Sequence, residues 1–229
     1  MFFKKDKFPI RKDTLSNEER IMIGILFILR AALVYAFALG IWYKHWITLF
    51  ISLTALLLTF LPSMIAHNYK IKLPAEFILI TTVFIYMSLI LGETKGYYAK
   101  YWWWDNMLHT LAGISFGFIG FLIVYSLFKT GKIDTKPVFV ALFAFCFALS
   151  IGAMWEIFEF NMDSSFHTNM QRLETGIKDT MYDLMEDAVG ALFTSFIGYF
   201  YLRGVKGSGF FDGIVTRFAK HNPHLFRKK

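Results

Sequence analysis

Seven ionisable side chains stand at the ends of three apolar runs. Asp105 and His109 open one, Glu156 and Glu159 close the next, and Asp179, Asp183 and Asp187 open the last. The spacings are four, three and four residues, so on helices each group shares one face. Carboxylates with one imidazole suit Mg, Mn, Fe or Zn by ligand type. The same groups can move protons as general acids and bases. Asp105, His109, Glu156, Glu159, Asp179 and Asp183 are therefore the candidate catalytic residues. His109, Glu156, Glu159 and Asp183 are the candidate ligands of a divalent metal ion, the one cofactor the residues suggest. Without a two-histidine or cysteine pattern, a structural zinc site is disfavoured.

Each of these residues also has a plainer reading. Asp105 and Asp179 fit helix N-caps, where a carboxylate meets free N–H groups and the favourable end of the dipole. His109 could be a satisfied core histidine. Glu156 and Glu159 fit the plain reading worst, because acids at a helix C-terminus oppose the dipole. Asp187 lies inside its run, where an ionised carboxylate needs a partner or a proton. Glu186 and Glu93 read as solvated interfacial acids. Arg30, inside the first run, is the intrinsic counter-ion for the acidic group. One arginine cannot balance six carboxylates, so protons or a divalent cation supply the rest.

The elements that position these residues are membrane helices. The chain is 56% hydrophobic with a mean hydropathy of +0.47, above the ~45–50% apolar content of soluble domains. Six runs are long enough to span ~30 Å of hydrocarbon: residues 21–43, 46–66, 75–92, 105–128, 137–160 and 183–202. The fold class is an all-α polytopic bundle of six transmembrane helices. Residues 1–20 form a basic cytoplasmic leader, 21–202 the membrane domain and 203–229 a basic cytoplasmic tail. Pro62, Pro74 and Pro137 fall near span ends, and Ser16 and Glu19 have capping-box spacing.

A net charge of +7 could suggest nucleic acid, but the basic residues follow the loops. Eighteen of the 24 lysines and arginines fall on one side of the six runs. The positive-inside rule then puts both termini in the cytoplasm, in a multi-pass protein of the cell or inner membrane. All seven ionisable residues come out on the opposite, outer side. Ala36-Phe37-Ala38 resembles a cleavage site, but the long apolar run and bulky leader favour an uncleaved anchor. Cys146 reads as a small buried hydrophobe, and Trp102, Trp103 and Trp104 as an outer interfacial anchor. The tail carries Phe210, Phe211, Ile214, Val215, Phe218 and Ala219 at helical spacing. That pattern predicts a short interfacial helix on anionic cytoplasmic lipid. The expected partners are thus the lipid bilayer, anionic lipid at the tail and a small-molecule or lipid ligand at the site, with no nucleic acid.

Small residues lead into each polar group: Gly113 and Gly117 after His109, Ala148 and Gly152 before Glu156, Gly190 and Thr194 after Asp187. Such stripes let membrane helices approach closely, so the fourth, fifth and sixth spans should meet through them and bring the polar ends into one cavity. An outer loop over 161–178, containing His167, is placed to cover it.

The pattern Asp105-x-x-x-His109-x-x-x-Gly113, the segment Ala153-Met154-Trp155-Glu156-Ile157-Phe158-Glu159-Phe160, then Gly176-x-x-Asp179-Thr180-x-x-Asp183 and Gly190-Ala191 resemble the bacterial YjdF-like inner-membrane family. The resemblance covers residues 101–200 and implies that the six candidate residues act as a unit. It implies no particular activity. The layout is also distantly similar to VanZ-like proteins, whose namesake is linked to glycopeptide antibiotic tolerance. Three functions compete. The first is a membrane-embedded enzyme or ligand-binding protein acting on a lipid or cell-envelope substrate. The second is an ion- or proton-coupled transporter, although such sites usually lie near the midplane with broken helices or repeats. The third is an accessory or structural membrane protein without catalysis.

Overall fold

Backbone groups in hydrocarbon must find their partners within the chain, which favours helices. The computed structural model describes residues 17–171, 176–204 and 209–226, and among these there is no strand. In chain order come α1 (Asn17–Trp42), α2 (Trp46–Leu58), α3 (Leu61–Asn68) and α4 (Ala75–Ile85), which continues as a π-helix over Tyr86–Thr94. A single turn, α5 (Tyr97–Lys100), leads to three long helices, α6 (Trp104–Lys129), α7 (Pro137–Phe166) and α8 (Ile177–Leu202), and then to α9 (Gly209–His221). The capping-box expectation at Ser16 lies outside the described residues.

Among the described residues, five segments are long and apolar enough to cross a bilayer: Asn17–Trp42, Trp46–Asn68, Ala75–Thr94, Trp104–Lys129 and Pro137–Phe166. The sixth expected run lies in α8, which has the same 26 residues as α6 but carries Asp179, Asp183, Glu186 and Asp187 in its first half. Pro74 and Pro137 stand at helix starts as expected. Pro62 instead marks a break inside the second segment, between α2 and α3. Arg30 serves that break. Its guanidinium donates to the Thr59 hydroxyl at 3.2 Å and the Thr59 carbonyl at 2.9 Å, and lies 4.0 Å over the Phe60 ring. Arg30 is therefore a partner of fully buried Thr59 at that break, and the expectation that it balances the acidic cluster is corrected.

The helices form two groups, α1 with α2 and α4, and α6 with α7 and α8. Within the second group the small-residue stripes meet as expected. Gly113 lies against the backbone of Asp187 and Ala191, and Gly190 against that of Thr110 and Ile114. A Cβ on Gly117 would stand 3.1 Å from that of Thr194, whose hydroxyl donates to the Ile114 carbonyl at 3.0 Å. These pairings advance together in sequence, so α6 and α8 run parallel. Gly120 meets Ala144 and Phe147 while His109 meets Glu156, so α7 runs antiparallel to α6.

The tail helix departs from its expected role. Phe211, Ile214, Val215 and Phe218 are buried, and the stripe packs on Phe121, Tyr125 and Val140 at the far ends of α6 and α7 from the acidic groups. Its apolar face is spent on protein, so the expectation that this face lies in anionic lipid is corrected. Two polar contacts fix it to the first helix group. Arg217 pairs with buried Glu76 at 2.7 Å, and fully buried Asn222 bonds both the N–H (2.7 Å) and the carbonyl (2.8 Å) of Lys72. Cys146 is exposed on the outer surface of α7, against expectation. Trp102 is exposed as an anchor should be, whereas Trp104 turns inward and packs edge-on against Tyr97.

Candidate functional site

His109 enters the bundle on the second turn of α6 and meets carboxylates from both neighbouring helices. Its Nε2 lies 3.8 Å from Asp105, 3.9 Å from Glu156 of α7 and 3.9 Å from Asp183 of α8. Its Nδ1 is 3.3 Å from Asp187 Oδ2. Glu156, Asp183 and Asp187 are 4%, 4% and 1% exposed, which removes most of the water that would otherwise stabilise their charge. Donor atoms of Asp105, His109 and Asp183 all lie within 4.8 Å of one another. A cation at about 2.0–2.6 Å from each ligand spans such separations.

Two further details bear on what this cluster can hold. Neither oxygen of Glu156 meets a donor in full hydrogen-bonding geometry, and the Thr180 hydroxyl gives it only a weak side-chain interaction. A buried carboxylate in that state calls for a cation or a proton. Gly152 is where α7 passes Asp187, and any Cβ there would run into the Asp187 carboxylate. The glycine therefore leaves Asp187 room to reach His109.

Sequence reasoning left Asp187 out of the site set. The structure gives it the shortest contact to His109, and the signal was available in the four-residue step from Asp179 and Asp183. Asp105 and Asp179 stand in the first turns of their helices, but the N-cap positions belong to Trp103 and Gly176. Their expected cap role is corrected, while the favourable dipole still acts on them. Glu159 is buried, and its Oε1 accepts a 2.8 Å hydrogen bond from the Trp155 indole. It borders the cluster without facing His109. Glu186 is not simply solvated, since Asn106 donates to it.

A cavity of about 1030 Å³ adjoins the cluster between the two helix groups. Asp105, His109, Glu159 and Asp187 line it; Glu156 and Asp183 do not. The expectation that His109, Glu156, Glu159 and Asp183 all point into one cavity is thus divided between a buried cluster and an adjoining chamber. The π-helical stretch contributes Ser88, Leu89, Gly92 and exposed Glu93 to the same chamber. None of these could be assigned from the second half of the chain. The covering loop is shorter than expected because α7 continues to Phe166. Asp163 ties it down by accepting from the N–H groups of Met170 (2.8 Å) and Gln171 (2.9 Å). Asn169 and Met170 line the cavity, while His167 is exposed at the C-cap of α7. Residues 172–175 of this loop lie outside the described ones.

A multi-pass, all-helical membrane protein with a buried aspartate–histidine cluster is the class that fold and site define. The chain belongs to the predicted membrane protein family DUF2238, whose model matches residues 22–204. An uncharacterized protein of Thermotoga maritima is 28% identical over 120 residues, which cover 52% of this chain and 59% of that relative. No solved structure matches the chain.

Proposed function

We propose that this protein carries an outward-facing divalent-metal site at the end of a six-helix bundle, with both termini cytoplasmic, and acts there on a lipid or cell-envelope substrate. The observation that carries the reading is the two-sided environment of His109. Nε2 faces Asp105, Asp183 and the unsatisfied Glu156, while Nδ1 is held by Asp187. Metal-ligating histidines characteristically donate their other ring N–H to a carboxylate, which fixes the tautomer and raises ligand basicity. Asp105, His109 and Asp183 would hold the ion, Glu156 would complete or neutralise the site, and Asp187 would position the ring. Glu159 and Asp179 border it. A metal there would supply Lewis-acid polarisation of a phosphoryl or carbonyl oxygen.

Six spans follow if α8 crosses with its neighbours. It runs parallel to α6 and touches it from Asp187 to Gly198, so it covers the same depth as a helix long and apolar enough to span. Its acids face the bundle, where intramembrane carboxylates are normally kept. The YjdF-like resemblance adds support for the six candidate residues as a unit. Elemental analysis of purified protein, beside Asp183→Asn, tests the reading. Stoichiometric metal in the parent chain and loss in the variant are expected; a parent chain that binds no divalent ion after loading refutes it.

One observation favours the carrier alternative. The sequence suggests unbroken spans, yet the second segment breaks at Pro62 and the third ends in a π-helix that lines the cavity. Irregular helices of this kind often mark functional hinges and transport sites. Gradient-driven, saturable uptake in proteoliposomes would support that alternative over hydrolysis or transfer at a fixed site.

A further inference from the structure

The cavity between the two helix groups has an open end and a blind one. Glu93, Lys100, Trp102 and Asn169 line the open end, and all four are exposed. Phe84 of the third segment, Phe116 of α6 and Ile151 of α7 line the blind end and are partly covered. Among the described residues, none deeper on those three elements reaches the cavity. From Asp105 to Phe116 is eleven residues, a rise of roughly 16 Å. The volume of about 1030 Å³ is at the upper end of ligand cavities, which run ~300–1,000 Å³. That is room for one chain and its polar end, and a guest enters from the exposed side.

The reactive cluster meets this cavity part of the way down. His109 lines it one turn below Asp105, and the α6 lining below His109 is Ala112 and Phe116. Leu89 and Phe84 continue the apolar wall on the third segment. Ser88, between them, is bonded to the Tyr98 hydroxyl at 2.9 Å, and the Asp187 carboxylate is turned to His109 at 3.3 Å. Seven residues separate His109 from Phe116, a rise of roughly 10 Å. An extended chain advances roughly 1.2 Å per bond, so this depth takes about eight bonds. We propose that the cavity selects lipid by chain length. It binds a single-chain lipid whose chain of about eight to ten carbons fills the space below His109 and whose polar linkage lies beside that ring. A longer chain meets Phe84 and Phe116 before its linkage can seat. Placing the linkage beside His109 deepens the metal-site reading and rests on it; the chain length does not.

The test uses the full chain in nanodiscs of dioleoylphosphatidylcholine, titrated with 1-monoacylglycerols of six to sixteen carbons and followed by tryptophan fluorescence. All the probes share one uncharged head, so only the chain varies. Affinity is expressed per mole fraction in the bilayer, which removes the effect of partitioning. It should peak at eight to ten carbons and fall at least tenfold by sixteen. Ala112→Trp, which fills the space below His109, should move the peak to six carbons or fewer. Phe116→Ala, which deepens the blind end, should move it at least two carbons longer. Affinity that ignores chain length, that rises steadily to sixteen carbons, or whose peak neither variant moves would overturn the proposal. Asp183 does not line the cavity, so Asp183→Asn should lose metal and keep the peak. Metal content measured on the same samples reports on the metal site alone.

Discussion

His109 and the carboxylates around it make different demands on each residue, and single substitutions should separate them. Glu156 faces Nε2 without a fully formed hydrogen bond of its own, whereas Glu159 is held by Trp155. Glu156→Gln should therefore lower divalent-metal affinity by tenfold or more, while Glu159→Gln changes it less than threefold. Isothermal titration on both variants checks this, and equal losses would refute the assigned division of roles. Acidification should release the ion, because protons compete for imidazole and carboxylate alike. Sequence spacing made six of these residues legible. It could not rank them, since which ring nitrogen or oxygen faces which partner is set across three helices.

Helix packing depends on what glycine permits. Gly113 and Gly190 bring backbone to backbone between α6 and α8, whereas Gly24 of α1 has nothing within 4 Å of where a Cβ would stand. Gly113→Leu should destabilise the bundle by at least the ~1–3 kcal/mol typical of overpacking. Gly24→Leu should be neutral or slightly stabilising, because leucine is the better helix former. Thermal unfolding followed by fluorescence distinguishes the two, and a silent Gly113→Leu would reject the contact face. The stripes announced this contact in the sequence. The π-helix over Tyr86–Thr94 did not announce itself, because one extra residue in a turn leaves no mark on an unbroken apolar run.

Across the whole molecule, α9 joins the two helix groups at one end and the cavity separates them at the other. Asn222 bonds Lys72 on both backbone groups and Phe218 at 2.8 Å, all from a fully buried position. Asn222→Ala leaves such groups unpaired and should cost about 1–3 kcal/mol. It should also speed proteolysis after Arg203 at least severalfold, and unchanged cleavage would mean that the tail is held by its apolar face alone. Topology is testable at the same scale. Reporters fused after the tail should stay cytoplasmic, and a cysteine at Trp102 should label from outside; labelling only from inside would invert the proposed orientation.

Composition and run length alone determined that this chain is a helical membrane protein, because long unbroken apolar runs satisfy their backbone in hydrocarbon as helices, whereas barrel strands are shorter and alternate. Spacing determined which helix faces carry acids and small residues, since helical period is a local property. Tertiary structure decided the rest. It gave Arg30 to Thr59 and Phe60, brought Asp187 to His109 past Gly152, and turned the tail's apolar stripe onto Phe121 and Val140. An amphipathic stripe or a buried charge states only that a partner is needed. The choice among lipid, ion and protein depends on residues 29 to 150 positions away, which the fold alone brings within reach.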